Sequence, residues 1–320
     1  MRRYAILLTL VSLLLSATTY AQAQTPEAAL NHFKNALKKA GNGDLDGAIE
    51  DYSRAINLSS RFDTRKTPES RAANSFAENS DASSEGIRVI DPFTANAYSN
   101  RGLARYKKGD YPGAIEDFDQ ALRIRPGLAP AYLNRAAARR ANGDFEGALK
   151  DLDRAVSLKN DYFEAYSNRG SLRLDLGHTN LALADLNRAI ELNARIAEPF
   201  YQRGYVYLAL KNFDSALADF DSAVRLRPEM AWAYQGRGTT LMYKGKMVEA
   251  IDDFTRSLEH DPRMAWAYFN RGLIWVFLGE EDKAEKDFSE CLKLRPALKT
   301  ELDPRIDLAR HLRRIGQPLL

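Results

Sequence analysis

The chain has 320 residues, 45% of them hydrophobic and 28% charged, with 46 basic residues against 43 acidic ones and a formal charge of +3. That balance excludes a polytopic membrane protein, a wholly disordered chain, and a binder that relies on electrostatic attraction to nucleic acid or an acidic membrane. A single cysteine, Cys291, rules out an intramolecular disulfide, so packing must hold the fold together.

At the N-terminus, Arg2 and Arg3 precede an apolar run from Ala5 to Leu15, which gives way to small and polar residues up to Ala21-Gln22-Ala23. This is the anatomy of a secretory signal, with cleavage expected after Ala23. As a helix the run would rise only about 16 Å, short of the roughly 30 Å hydrocarbon layer, so a cleaved leader is preferred to a retained anchor. No transmembrane span is then expected in the mature chain. Tyr4-Ala5-Ile6 does not continue a twin-arginine pattern, and no cysteine follows for lipid attachment. The expected location is periplasmic or secreted.

Residues 24–62 read as one helical hairpin, and residues 63–94, rich in Ser, Ala, Asn and Glu, as a flexible insertion. That insertion is either plainly disordered or ordered by a partner. From Ala95 the chain repeats itself. Ala97-Tyr98-Ser99-Asn100-Arg101-Gly102 returns as Ala131-Tyr132-Leu133-Asn134-Arg135-Ala136 and then as Ala165-Tyr166-Ser167-Asn168-Arg169-Gly170, each step 34 residues long. Six contiguous copies begin at Ala95, Ala129, Phe163, Ala197, Ala231 and Ala265 and fill residues 95–298; a weaker seventh starts near Ala29. Apolar spacing within each copy is helical, and a turn signal such as Gly143-Asp144 or Lys211-Asn212 divides it into two antiparallel helices. Small residues at Gly102, Ala136, Gly170, Gly204, Gly238 and Gly272 are matched at fixed offset by Phe118, Leu152, Leu186, Phe220, Phe254 and Phe288, the signature of a stacking unit.

Period, small residues, aromatic positions and the prolines at Pro126, Pro228, Pro262 and Pro296 together resemble the tetratricopeptide repeat (TPR) of exported bacterial proteins. The resemblance implies an all-α fold: a right-handed superhelical solenoid of about seven helix-turn-helix repeats. It also implies a non-enzymatic protein-interaction role. The chain departs from the family pattern before the glycine, where leucine is usual and arginine stands in all six good copies. Each arginine has an aspartate sixteen residues on: Arg101 and Asp117, Arg135 and Asp151, Arg169 and Asp185, Arg203 and Asp219, Arg237 and Asp253, Arg271 and Asp287. A partly buried guanidinium needs a carboxylate fork, so a salt bridge between the two helices of each copy is expected. Binding of a ligand by this arginine row is the alternative.

A partner would sit on the face lined by the first helices. With Ala95 as the first place, the second, fifth, sixth, ninth, twelfth and thirteenth places share that side of a helix. At the sixth stand Asn100, Asn134, Asn168, Gln202 and Asn270, interrupted by Gly236. Such an amide row can hydrogen-bond an extended peptide backbone, as the resemblance to superhelices of protein glycosylation implies, or it can bind the next hairpin or water. Arg105, Arg139, Arg140 and Arg173 would make one part of the groove basic, whereas Tyr201, Tyr205, Trp232, Tyr243, Trp266 and Phe269 would make another part aromatic. Singly, each aromatic is as well explained by core packing; together they suggest a ligand surface.

From Pro304 to Ile315 an amphipathic helix is expected to cap the array, in a terminal segment spanning residues 299–320. His32, His178, His260 and His311 are scattered, no phosphate loop or nucleophile elbow occurs, and Cys291 occupies a place that is alanine in four other copies. No catalytic residue, metal or cofactor is expected. The leading reading is a cell-envelope adaptor that binds a peptide or protein segment in the groove. A carbohydrate-binding or polysaccharide-export module using the aromatic half is the alternative, with a glycan as its ligand.

Overall fold

A computed structural model describes residues 26–61 and 84–319 of the chain; the leader-like residues 1–23 and the insertion up to residue 83 lie outside the described residues. Among the described residues the structure is α-helical throughout, and it divides into two compact units between Asn160 and Asp161. The first unit holds three helical hairpins: α1 (Pro26–Gly41) with α2 (Leu45–Arg61), α3 (Ser84–Lys107) with α4 (Tyr111–Ile124), and α5 (Ala129–Ala141) with α6 (Phe145–Leu158). Four more make up the second unit: α7 (Phe163–Asp175) with α8 (Thr179–Leu192), α9 (Ala197–Ala209) with α10 (Phe213–Leu226), α11 (Ala231–Tyr243) with α12 (Met247–His260), and α13 (Ala265–Leu278) with α14 (Glu281–Leu294). A short 3-10 turn (Pro296–Leu298) leads into α15 (Lys299–Ile315).

Local chemistry sets the hairpin limits. Between α5 and α6, Gly143 takes a left-handed φ of 85°, which reverses the chain, and Asp144 then caps α6 by accepting the Gly147 N–H at 2.8 Å. Asp110 and Asn212 cap α4 and α10 in the same way. At the other end of α4 the Arg125 N–H closes the last turn on the Ala121 carbonyl, and Pro126 stops the helix.

Large residues fill the space that the small ones leave. Phe118, Phe220 and Phe254 are completely buried, each contributing about 2–3 kcal/mol of burial free energy. A Cβ added at Gly204 would lie 2.8 Å from the Phe220 ring, and one at Gly272 would lie 2.4 Å from Phe288. Gly236, the break in the amide row, faces the same Phe220 from the next hairpin, where a Cβ would come within 2.4 Å of the ring. No amide fits there because the preceding hairpin's phenylalanine occupies the volume.

One expectation needs correction. Residues 63–94 are not a loop throughout, since α3 already begins at Ser84, and Phe93 packs on Phe33 of α1 with ring centroids 5.1 Å apart. The terminal helix caps the last hairpin, as expected. It lies along α13, burying Phe269, Leu273, Ile274 and Val276 in one cluster with its own Leu302 and Ala309. Arg313 donates to the Val276 carbonyl at 2.9 Å, and Arg310 pairs with Glu281 at 2.7 Å. A helix as apolar as α13 has two faces to cover, and α14 covers only one of them.

Overpacking therefore gives the first test: Gly236→Asn, which restores the amide row, should cost about 1–3 kcal/mol through its clash with Phe220. Urea unfolding monitored by circular dichroism would measure the loss, and an unchanged midpoint would mean that the ring moves aside freely.

Candidate functional site

In repeats two to seven the arginine before the glycine, or before Ala136 in the third, joins the two helices of the hairpin. Arg101 donates from Nε and Nη2 to both oxygens of Asp117, at 2.9 and 2.6 Å. Arg237 does the same to Asp253 at 2.8 and 2.7 Å, and Arg135 to Asp151, Arg169 to Asp185, Arg203 to Asp219 and Arg271 to Asp287 repeat the fork. The aspartates are buried and the arginine side chains are only 13–22% exposed. The third nitrogen reaches back to the preceding hairpin: Nη1 donates to Ser53 from Arg101, to Asp119 from Arg135, to Asn187 from Arg203, to Asp221 from Arg237 and to Thr255 from Arg271. Three residues earlier on the same helix an aromatic ring lies against the guanidinium, from Tyr98 at 5.4 Å to Tyr268 at 5.8 Å. The hydrogen bond to Asp253 raises the already high Arg237 pKa against burial, with Asp221 adding to the rise.

Copy one solves the same problem without the arginine. Burial alone would raise the Asp51 pKa, but hydrogen bonds from Lys39 and His32 outweigh it and hold the carboxyl below its ordinary value.

Arg105, Arg139 and Arg173 do not line a groove, contrary to expectation. They point to the second helix of their own hairpins, where Nη1 meets Asp117 at 3.0 Å, Asp151 at 2.8 Å and Asp185 at 2.7 Å. The reason is helical spacing: each stands four residues after the clip arginine and so shares its side of the helix. Arg140, one place further on, is half-buried.

The amide row is divided. Asn100, Asn134 and Asn168 are half-buried, and their side chains make no protein hydrogen bond among the described residues, which leaves the amides available to a ligand or to water. Gln202 accepts from Ser167 at 2.7 Å, and Asn270 is buried and donates to Thr239 at 3.5 Å, so these two serve the stack. Asn270 and Phe269 are therefore withdrawn as groove residues. Phe269 is fully buried, with Arg305 of α15 stacked over its ring at 5.5 Å. The hint in the sequence was that Phe269, Leu273, Val276 and Phe277 leave α13 without a polar residue at four of the groove places.

Of the remaining aromatics, Tyr205 and Tyr243 line one cavity of the second unit and Trp232 and Trp266 line another, while Tyr201 lines neither. The larger, about 760 Å³, opens on the side of the first helices and is lined by Leu174 of α7, Tyr205, Leu208 and Ala209 of α9, Lys211 and Phe213 at the next turn, and Thr239 and Tyr243 of α11. Tyr243 stacks flat on Phe213 at 5.3 Å. Tyr205 stands edge-on to Phe220 and, nearby, to the half-buried Tyr201; burial pushes its phenol well above the ordinary 10.0, and the retained proton is donated to Gln235 at 2.7 Å. The smaller cavity, about 390 Å³, lies at the opposite end of the helices, where Trp232, which is 49% exposed, and Trp266 face Arg263, Met264, Leu294 and Arg295. Second-place and twelfth-place residues of one helix are about 15 Å apart along its axis. Leu174, Leu208, Ala209 and Thr239 escaped the sequence reading although they occupy groove places, because small and aliphatic residues there look like core.

Among the described residues no group of three or more His, Cys, Asp or Glu side chains could hold a metal ion, and no helix is long and apolar enough to cross a membrane. Cys291 is buried, and burial raises its thiol pKa.

Four sequence profiles match the chain: the tetratricopeptide repeat over residues 95–128, the TPR repeat over 136–177, and the tetratricopeptide repeat again over 167–231 and 267–298. No curated protein matches it. Among solved structures, a tetratricopeptide repeat protein from Parabacteroides merdae is 20% identical, with a TM-score of 0.61 over 90% of this chain and 99% of its own. PilF of Pseudomonas aeruginosa is 17% identical, with a TM-score of 0.59 over 71% of this chain and 99% of its own. At these identities the likeness is one of fold.

The two classes of clip make a graded prediction. Asp117 keeps Arg105 when Arg101 is removed, whereas Asp253 has only Leu241 at the place equivalent to Arg105. Arg237→Leu should therefore cost about 3–5 kcal/mol and Arg101→Leu about 1–2 kcal/mol. Chemical denaturation of both variants would measure this; equal losses would show that the second arginine does not hold the aspartate.

Proposed function

Because the chain is a tetratricopeptide repeat protein, we propose that it is a non-enzymatic adaptor that holds a peptide or protein segment against the first helices of its second unit. The observation that carries this reading is the open 760 Å³ cavity, floored by apolar side chains from three successive first helices. Neighbouring packed helices lie about 10 Å apart, so α7, α9 and α11 offer roughly 20 Å, the length of about six residues in extended conformation. Leu174, Leu208, Phe213 and Tyr243 are then floor positions for alternate side chains of the bound segment. Asn168, on the same side of α7, is a free donor and acceptor for its backbone.

The leader-like residues 1–23 support a site of action in the periplasm or beyond, with roles in envelope assembly or secretion. A second reading rests on the smaller cavity. Two indoles at the edge of one depression, with Arg263 and Arg295 beside them, suit the apolar face and polar rim of a sugar ring. In that reading the chain serves polysaccharide export.

A photo-crosslinking residue placed at Tyr243 should give discrete protein adducts in the native envelope, while the same residue at Val248, 66% exposed on the second helix α12, should give none. Equal adducts from both positions, or none from either, would end the adaptor reading. Trp232→Ala should change stability by less than about 0.5 kcal/mol, given its exposure. If this variant loses binding on a glycan array while adducts through Tyr243 persist, the carbohydrate reading stands beside the first. An array on which the wild type binds nothing removes it.

A further inference from the structure

The seven hairpin turns share one backbone requirement: a residue with left-handed φ. Six of them meet it with glycine, at Gly43, Gly109, Gly143, Gly177, Gly245 and Gly279, with φ between 74° and 88°. The turn between α9 and α10 meets it with Lys211, at φ 56°, the one non-glycine with positive φ among the described residues. A Cβ is disfavoured in this region, so the lysine stands against the local preference of the turn.

What the lysine adds is a charge at a particular place. Lys211 is the only charged residue in the lining of the 760 Å³ cavity, whose other members are Leu174, Tyr205, Leu208, Ala209, Phe213, Thr239 and Tyr243. It makes no ion pair among the described residues. Asp175 and Asp214 are next in sequence to lining residues but do not line the cavity themselves, and Asp214 is bound by Lys244. Neither chain neighbour could supply the charge instead: Leu210 closes α9, and the Asn212 side chain caps α10.

We propose that Lys211 is the anion-recognising residue of this cavity, and that the bound segment is a peptide carrying a carboxylate within a residue or two of a large aliphatic or aromatic side chain. The apolar group enters between Leu174, Leu208, Phe213 and Tyr243, and the carboxylate meets the ammonium at the rim. An unpaired cation beside an apolar floor selects this pairing, because a neutral segment leaves the ammonium without a partner and a basic one is repelled. The inference rests on the peptide-adaptor reading and narrows its ligand.

The test uses the purified full chain and its Lys211→Gly, Lys211→Asn and Lys211→Glu variants on an array of octapeptides acetylated at one end and amidated at the other, so that only side-chain carboxylates are present. Wild-type binders should carry Asp or Glu next to Leu, Ile, Phe or Tyr. Lys211→Gly and Lys211→Asn should weaken those peptides roughly fivefold, and Lys211→Glu should shift selection towards Lys and Arg. The melting temperature of Lys211→Gly should be unchanged or about 1–2 °C higher, as left-handed strain is relieved. Selection without acidic residues, or Lys211→Gly binding the same peptides within about twofold, overturns the inference and leaves the adaptor reading intact. So does a marked fall in the melting temperature of Lys211→Gly, which would make the lysine structural. Absence of any peptide binding by the wild type overturns both.

Discussion

The arrangement within each unit depends on one guanidinium in every repeat but the first. A leucine at that place could only pack, whereas the arginine has five donors in a rigid plane and uses them in two directions. Two nitrogens fork onto the aspartate of the same hairpin, and the third reaches a polar side chain of the hairpin before, as Arg237 does to Asp253 and Asp221. The ring three residues back, Tyr234 in that case, covers the flat face at 5.5 Å. A buried carboxylate without a cation is costly, so the clip penalises any slip that separates Asp253 from Arg237. Hairpin closure and hairpin stacking are thereby fixed by the same side chain.

The clip also leaves part of each first helix uncommitted. Closure and stacking consume the fourth, seventh, eighth and, in three repeats, eleventh places. The ninth, twelfth and thirteenth remain free to differ, and in the second unit they differ in a way that makes a cavity: Leu174, Tyr205, Leu208, Ala209, Thr239 and Tyr243 vary in size around a volume that none of them fills. One hairpin later the equivalent places on α13 are uniformly apolar, and the protein covers them with its own α15. The ligand surface proposed above thus ends where the chain supplies its own occupant. Its polar character falls to the turn, where Lys211 replaces the glycine used by the other hairpins.

Much of this was legible before any coordinates. A 34-residue period, a small residue matched to a large one, and an arginine sixteen residues before an aspartate are each facts of spacing, and helical geometry turns such spacing into contacts without further information. The Gly–Phe approach at Gly204 and Phe220 and the fork between Arg203 and Asp219 follow from that periodicity alone. The turn position of Lys211 was equally visible as the one departure from glycine, although its backbone strain and its place in a cavity wall were not.

What the tertiary structure decided was the occupancy of each face. Arg105, Arg139 and Arg173 stand on the hairpin side of their helices, about 100° from the nearest groove place, and the aspartate across the hairpin holds each long side chain there. Phe269 occupies a groove place by every local rule, yet it is buried because α15, a segment outside the repeat, folds back along α13, and Asn270 is buried where it donates to Thr239 of α11. Gly236 breaks the amide row because of a ring on the preceding hairpin. Periodicity sets where a side chain sits on its own helix, whereas exposure depends on whatever non-repeating partner reaches that helix through space, and no local rule encodes that contact.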